Sequence, residues 1–254
     1  MTLPPKDLVR AGFARAARGY DAAAALQRAV CERLLARTPG APPADVLDAG
    51  CGTGYGARLL KRRWPAARVV GVDFVPAMLD FAARHADACV AADVEALPFA
   101  AAAFDLWWSS LVVQWCAPGS ALAEASRVLR PGGRLALSTL GGETFAELRD
   151  AFAMIDGHAH TIDFVAAEAL AEAAAAAGFR HVTTARETLT LHHPDLRALL
   201  AAVKATGANT LGPGRRSGMM GRATWRRLEA AYERHRTAEG LPARYDVVFL
   251  TAEK

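Results

Sequence analysis

The segment Asp48-Ala49-Gly50-Cys51-Gly52-Thr53-Gly54 constrains this chain more than any other. It follows the short apolar run Val46-Leu47, read as a strand, and opens a helix from about Tyr55 to Arg63. Glycines in such a loop permit left-handed backbone and let a ligand approach the main chain closely. In an open parallel sheet the ligand crevice lies at the carboxyl ends of the strands, where strand order reverses. A glycine-rich loop alone does not name its ligand, because dinucleotide sites have one too. The spacing here is G-C-G-T-G, not G-x-G-x-x-G. Asp73 closes the next expected strand, where its carboxylate can accept both hydroxyls of a ribose. Asp93, followed by Val94, closes the third, where a carboxylate can accept from an adenine amino group. Asp73 by itself reads equally well as a helix cap. The three features together read as a nucleoside site.

The 254 residues suit one large α/β domain spanning 1–254. Three blocks are expected: a helical cap over 1–43, a ligand-binding core over 44–140, and a C-terminal half over 141–254. Leu26, Val30, Leu34 and Leu35 recur at helical spacing in the first block, which ends at the turn Pro39-Gly40-Ala41-Pro42-Pro43. In the core, Arg68–Val72, Ala88–Ala91, Phe104–Ser109 and Arg134–Thr139 read as strands. Helices are expected at Pro76–Arg84 and 118–129, the second stopped by Pro131-Gly132-Gly133. Strands alternating with helices imply a doubly wound parallel sheet. Val182–Leu191 and Tyr245–Thr251 read as the last two strands. Between them a helical stretch, 194–238, is broken by Gly207–Gly221 and is expected to form a substrate lid.

A formal net charge of +4 does not argue for nucleic acid. Its placement is more informative, since Arg215, Arg216, Arg222, Arg226 and Arg227 crowd one stretch. That stretch is either a solvated face or a docking patch for an acidic partner. Cys31, Cys51, Cys89 and Cys116 show neither zinc spacing nor a disulfide framework, which suits a reduced, cytoplasmic setting. No run approaches the roughly 20 apolar residues that span a bilayer, so no membrane is expected. The arginine-rich start, Met1–Tyr20, contains Asp7 and reads as a mature helix rather than a transit peptide.

The loop Asp48–Gly54, with Gly71-Val72-Asp73, Asp93 and Leu129-Arg130-Pro131-Gly132-Gly133, resembles the class I methyltransferases that use S-adenosylmethionine (SAM). The resemblance implies a seven-stranded Rossmann-like sheet with the last strand antiparallel. It implies SAM contacts by Gly50, Gly52, Asp73, Asp93 with Val94, and Ser110-Leu111, with no metal. Phe74 and Met78 either pack on the adenine or are ordinary core residues. The flanks are more particular: Phe13-Ala14-Arg15-Ala16-Ala17, Tyr20-Asp21, Leu26-Gln27, L-V-V-Q-W at Leu111–Trp115, Ser138–Gly141, Thr144-Phe145, Glu147-Leu148-Arg149, Asp156–His160 and Phe164. Later come Leu199, Lys204, Gly207-Ala208-Asn209 and Leu241-Pro242-Ala243 before Tyr245. Together they resemble the malonyl-acyl-carrier-protein O-methyltransferases of biotin synthesis. Gly142-Glu143 departs from a proline expected in many members.

That resemblance implies methyl transfer to the free carboxylate of a malonyl thioester on acyl-carrier protein or coenzyme A. The ester hides the charge, so chain-elongation enzymes accept the disguised unit at the start of pimeloyl synthesis. A carboxylate is ionised at pH 7 and needs no general base. The residues sought are therefore those that anchor and orient it. Arg149 is a candidate bidentate partner or a solvated helix arginine. Tyr20 either covers the SAM site, donates to the carboxylate, or packs. His158 is read as an active-site donor; with His160 it lacks a third metal ligand. Lys204 and Asn209 are either lid residues of the active site or merely structural; Gln114 and Trp115 border the transfer side of the crevice, and Trp115 reads equally well as a core anchor. Alternatives are an assembly factor that hydroxylates a protein arginine, a methyltransferase for another small acid or an amine, and a SAM-binding module without activity.

Overall fold

The computed structural model describes residues 3–156, 158, 160–207 and 220–254. Seven strands form one sheet: β1 (Asp45–Ala49), β2 (Arg68–Asp73), β3 (Ala88–Ala91), β4 (Phe104–Ser110), β5 (Leu129–Leu140), β6 (Arg180–His193) and β7 (Leu241–Glu253). Their order across the sheet is β3-β2-β1-β4-β5-β7-β6. β1, β2, β3, β4 and β5 pair in parallel, whereas β7 runs antiparallel to both β5 and β6. The chain winds outward from β1 to β3, returns, and continues from β4 on the other side of β1. The order therefore reverses between β1 and β4, and a crevice opens at the carboxyl ends of those two strands.

The central strands are apolar on both faces, as sheets covered by helices must be. Val46, Leu47, Leu106 and Trp107 are fully buried and Trp108 nearly so. One face is covered by α3 (Ala25–Arg37), α4 (Tyr55–Arg63) and α7 (Ala146–Ala153), the other by α6 (Pro118–Val128) and α8 (Ala167–Ala176). β3 and β6 are the edge strands, and the residues of β6 stay largely exposed.

The first block is more broken than its spacing suggested. α1 (Lys6–Ala16) passes through a tight turn, Ala17–Gly19, into the single turn α2 (Tyr20–Ala23), and α3 starts only after Ala24. The breaks let the chain serve two surfaces. α1 leans on α5 (Pro76–Ala82) through Ala17, Val75 and Met78, while Val30 and Leu34 of α3 enter the main core.

The structure also corrects the start of β5. It begins at Leu129, and Pro131-Gly132-Gly133 lies within it rather than before it. Pairing with β4 shifts register between Phe104 and Leu106, the mark of a bulge. Pro131, which has no N–H, is tolerated there. The bulge is closed by the chain's end: Gly132 N–H donates to Lys254 O (3.0 Å) and Lys254 N–H to Gly133 O (2.9 Å).

The stretch expected as a lid holds α9 (Leu196–Ala205), capped by the Asp195 side chain on Ala198 N–H (2.7 Å), and α10 (Arg222–Glu233). α10 packs on α7, and its buried Tyr232 donates to Pro242 O (2.8 Å). Ala208, Asn209, Arg215 and Arg216 lie outside the described residues.

Candidate active site

The glycine loop leaves β1 and is pinned to the neighbouring strand. Gly50 N–H and Cys51 N–H both donate to Val72 O, at 2.7 and 2.8 Å. Gly52 N–H donates to Asp73 Oδ2 and Val75 N–H to Asp73 Oδ1, each at 2.9 Å. Two glycines are needed for different reasons. Gly50 has φ +75°, and a Cβ there would lie 2.2 Å from a Val112 methyl. Gly52 has φ +53°, but a Cβ there would meet nothing within 4 Å. That open space is a cradle for a ligand against the backbone.

Gly50, Gly52, Asp73, Phe74, Met78, Asp93, Val94, Ser110 and Leu111 all line one cleft of about 660 Å³, counting its mouth. Burial pushes the Asp73 carboxyl up to about 6, against the opposing pull of the N–H groups of Val75, Gly52 and Phe74. Burial pushes Asp48, behind the loop, up to about 7, and the charge of Asp73 adds to the rise. The glycine cradle, a carboxylate at the end of β2 and apolar walls from Phe74 and Met78 fit an adenosyl group with a ribose diol.

Asp93 is not left open to a ligand alone. Lys6 of α1 reaches across the cleft to pair with Asp93, and with Glu95 at 3.0 Å. Nothing in the sequence near Lys6 signalled this contact, because it joins residues that only the fold brings together. Leu111 adopts φ +57° at the end of β4, its N–H donating to Ser138 O at 2.9 Å. The bend sends the chain back so that Trp115 meets Phe13 edge to face, with centroids 5.7 Å apart. Such a pair contributes about 0.5–1.5 kcal/mol beyond its burial.

Behind this aromatic wall lies a second, larger chamber of about 1480 Å³, counting its mouth. Phe13, Tyr20, Leu111 and Trp115 line both spaces, so the two meet there. Phe145, Leu148, Phe152, Leu191, Leu200 and Tyr245 make the chamber apolar. Lys204 stands on its lining, exposed, and no ion pair to it occurs among the described residues. α9 ends at Gly207 (φ +75°), which sits so close to α1 that a Cβ would lie 3.0 Å from Gly12 O. The chamber wall and the cap of the cleft are thus in direct contact.

Other expected site residues lie elsewhere. The Arg149 guanidinium donates to Thr144 O and to Gly142 O (2.8 Å), and Arg149 lines neither space. His158 is exposed, with its N–H on Asp156 Oδ1 (3.0 Å), and lines neither space. His160 lines the chamber instead. Its ring stacks on Phe152 with centroids 3.5 Å apart and planes 7° apart, and its Nε2 lies 2.7 Å from Asp156 Oδ1. That bond, with the N–H of His158, holds the Asp156 carboxyl down at about 2. Gln114 is buried, donating to Leu111 O (2.7 Å) and accepting from Thr139 (3.0 Å). Phe145 and Tyr245 stand in the segments that carry the resemblance, whereas nothing in the sequence marked Phe152. Among the described residues no group of three or more His, Cys, Asp or Glu is placed to hold a metal, and no helix is long and apolar enough to cross a membrane.

Comparison with known proteins agrees with this geometry. A methyltransferase-domain family model matches residues 47–137. A malonyl-[acyl-carrier protein] O-methyltransferase of Dechloromonas aromatica is 48% identical, covering 100% of this chain and 96% of the relative. A biotin biosynthesis bifunctional protein of Cellvibrio japonicus is 40% identical over 98% of this chain, which spans 50% of that longer protein. Among solved structures, a SAM-dependent methyltransferase from Thermotoga maritima superposes with a TM-score of 0.59 at 19% identity, over 96% of this chain and 98% of its own. The last likeness speaks for the fold alone. Full-length identity to the Dechloromonas protein, together with the loop, the Asp73 carboxylate and the reversed β7, carries the conclusion: the chain belongs to the malonyl-[acyl-carrier protein] O-methyltransferase family and is a SAM-dependent O-methyltransferase.

Proposed function

We propose that this enzyme methylates the free carboxylate of a malonyl thioester carried on acyl-carrier protein, in biotin synthesis. The observation that carries this reading is the meeting of the two spaces at Phe13, Tyr20, Leu111 and Trp115. A methyl donor in the cleft faces a long apolar chamber that opens at a lysine. A thioester on a flexible arm, with its acid end innermost, fits such a chamber.

Bound in the cleft, SAM supplies a sulfonium methyl: the carboxylate forms the new O–C bond as the S–C bond breaks, the electron pair leaves with sulfur, and no proton moves. The chain's own residues bind and orient. Gly50 and Gly52 accept the ligand against the backbone, Asp73 takes the ribose hydroxyls, and Phe74 and Met78 flank the base. Phe13 and Trp115 exclude water where the two substrates meet, which raises every local electrostatic interaction. Tyr20 carries the hydroxyl among the four residues that line both spaces. Lys204 meets the anionic arm at the chamber. In a separate shallow hollow Arg197, Arg222 and Arg226 outnumber the single acid Glu229 around Trp225, over whose ring the Arg197 guanidinium sits at 5.5 Å. We assign this face to the carrier protein, whose acidic surface such charges attract and steer.

The test is direct. Incubated with methyl-labelled SAM and malonyl-acyl-carrier protein, the enzyme forms a base-labile methyl ester on the malonyl group. Retention of SAM without transfer to that substrate would remove the reading. Charge reversal at Arg222 and Arg226 raises KM for the carrier-bound thioester and spares a short malonyl thioester. Equal effects on both would remove the docking face.

A further inference from the structure

We propose that Gln27 orients the substrate carboxylate, as a neutral hydrogen-bond donor in the wall between the chamber and the narrow space beside the glycine loop. The proposal rests on the function proposed above and names the residue that confers selectivity for an acid.

Gln27 lies in the first turn of α3. It lines the large chamber and also the narrow space beside the glycine loop that holds Tyr20, Gly50 and Gly52. Its Oε1 is buried and has no hydrogen-bond partner, and its amide makes no hydrogen bond among the described residues. Gln27 as a whole is half-buried, but a buried amide oxygen without a partner is costly in a folded protein, and a native structure keeps one where something else completes it. The amide's two ends are alike in size, so half a turn about its last bond presents either N–H or C=O to a ligand. Gln114, the other glutamine of the chamber, is held at both ends of its amide by Leu111 and Thr139. Among the described residues Gln27 is therefore the chamber amide left to turn toward an acceptor.

The chemistry of the transfer favours an amide over a cation at this position. Carboxylate and sulfonium lose their charges together as the methyl moves. A fixed cation beside the carboxylate would hold the starting anion more tightly than the partly neutralised transition state, and so raise the barrier. A neutral donor aligns the oxygen with a smaller penalty. The lining agrees: among the described residues no Arg, Asp or Glu borders the chamber, and its basic residues there are His160 and Lys204. His160 faces Asp156, and Lys204 stands exposed. The guanidinium of Arg149 is held by two backbone carbonyls.

Wild type, Gln27→Leu and Gln27→Glu are compared with methyl-labelled SAM and a malonyl thioester, alongside calorimetric SAM binding. We expect Gln27→Leu to lose about 10- to 100-fold in kcat/KM, as loss of a hydrogen bond to a charged group does. SAM affinity stays within about threefold of wild type. Gln27→Glu, nearly the same shape, places a second carboxylate in the chamber wall. Its kcat/KM falls further at pH 8 and recovers as pH drops toward the carboxyl range, a profile that a packing role would not produce. Should Gln27→Leu fail to fold, the Gln27→Glu profile still decides. Transfer by wild type, with Gln27→Leu within threefold of it or Gln27→Glu sharing its pH profile, overturns this inference alone. Absence of transfer by wild type overturns the function on which it rests as well.

Discussion

Asp73 Oδ2 accepts the N–H of Gly52 at 2.9 Å, tying the carboxylate at the end of β2 to the loop that follows β1. One side chain therefore shapes the cradle and lines the cleft. Its pKa then has a functional consequence. The free site raises the carboxyl from 3.8 to about 6, so its protonated form gains below pH 6. The sign for stability follows: the contribution is present below 3.8 and lost as pH rises through about 6. Ribose hydroxyls need the carboxylate as acceptor. SAM affinity should therefore weaken by up to about tenfold per unit below pH 6, with proton release on binding near that pH. Calorimetry in buffers of different ionisation enthalpy measures both. Asp73→Asn should bind weakly with a flat profile over the same range.

The paired glycines separate stability from binding. Gly50→Ala puts a methyl into Val112 at a left-handed position, so both melting temperature and SAM affinity should drop sharply. Gly52→Ala has the same backbone strain, of about 1 kcal/mol, but no protein clash. It should melt only a few degrees lower while losing most SAM affinity, because its methyl occupies the cradle. Thermal melts with and without SAM distinguish the two.

Arg149 tests the difference between a clamp and a strut. Its guanidinium holds the carbonyls of Gly142 and Thr144. Arg149→Ala should cost about 1–3 kcal/mol of stability, or about 2–4 °C per kcal/mol. KM for the thioester should change less than tenfold. A hundredfold rise in KM with an unchanged melting temperature would make Arg149 a substrate ligand after all.

Lys6 fastens α1 across the cofactor cleft through Asp93 and Glu95. Both sides of that link are partly exposed, and exposed pairs contribute about 0.2–1 kcal/mol. Lys6→Ala should thus speed SAM release about two- to fivefold in stopped flow. High salt should reproduce much of this in wild type and little in the variant.

The sequence by itself determined the parts whose physics is local. A strand, a left-handed glycine turn and a helix follow one another at Val46–Arg63, and an acid closes each of the next two strands. Those residues converge on one cleft because parallel strands bring their carboxyl ends together. The reversed β7 was legible as well, though only through resemblance. Only the tertiary structure decided the chamber. Its walls come from Phe13, Gln27, Phe152, Leu200 and Tyr245, which no spacing relates. It also decided between like candidates. His158 and His160 stand two residues apart, yet one is exposed and the other stacks on Phe152. Arg149 found carbonyls in the loop that precedes its own helix, and Lys6 found Asp93 across the cleft. A side chain's partner is set by which groups the packed chain leaves unsatisfied nearby, and that is a property of the whole fold.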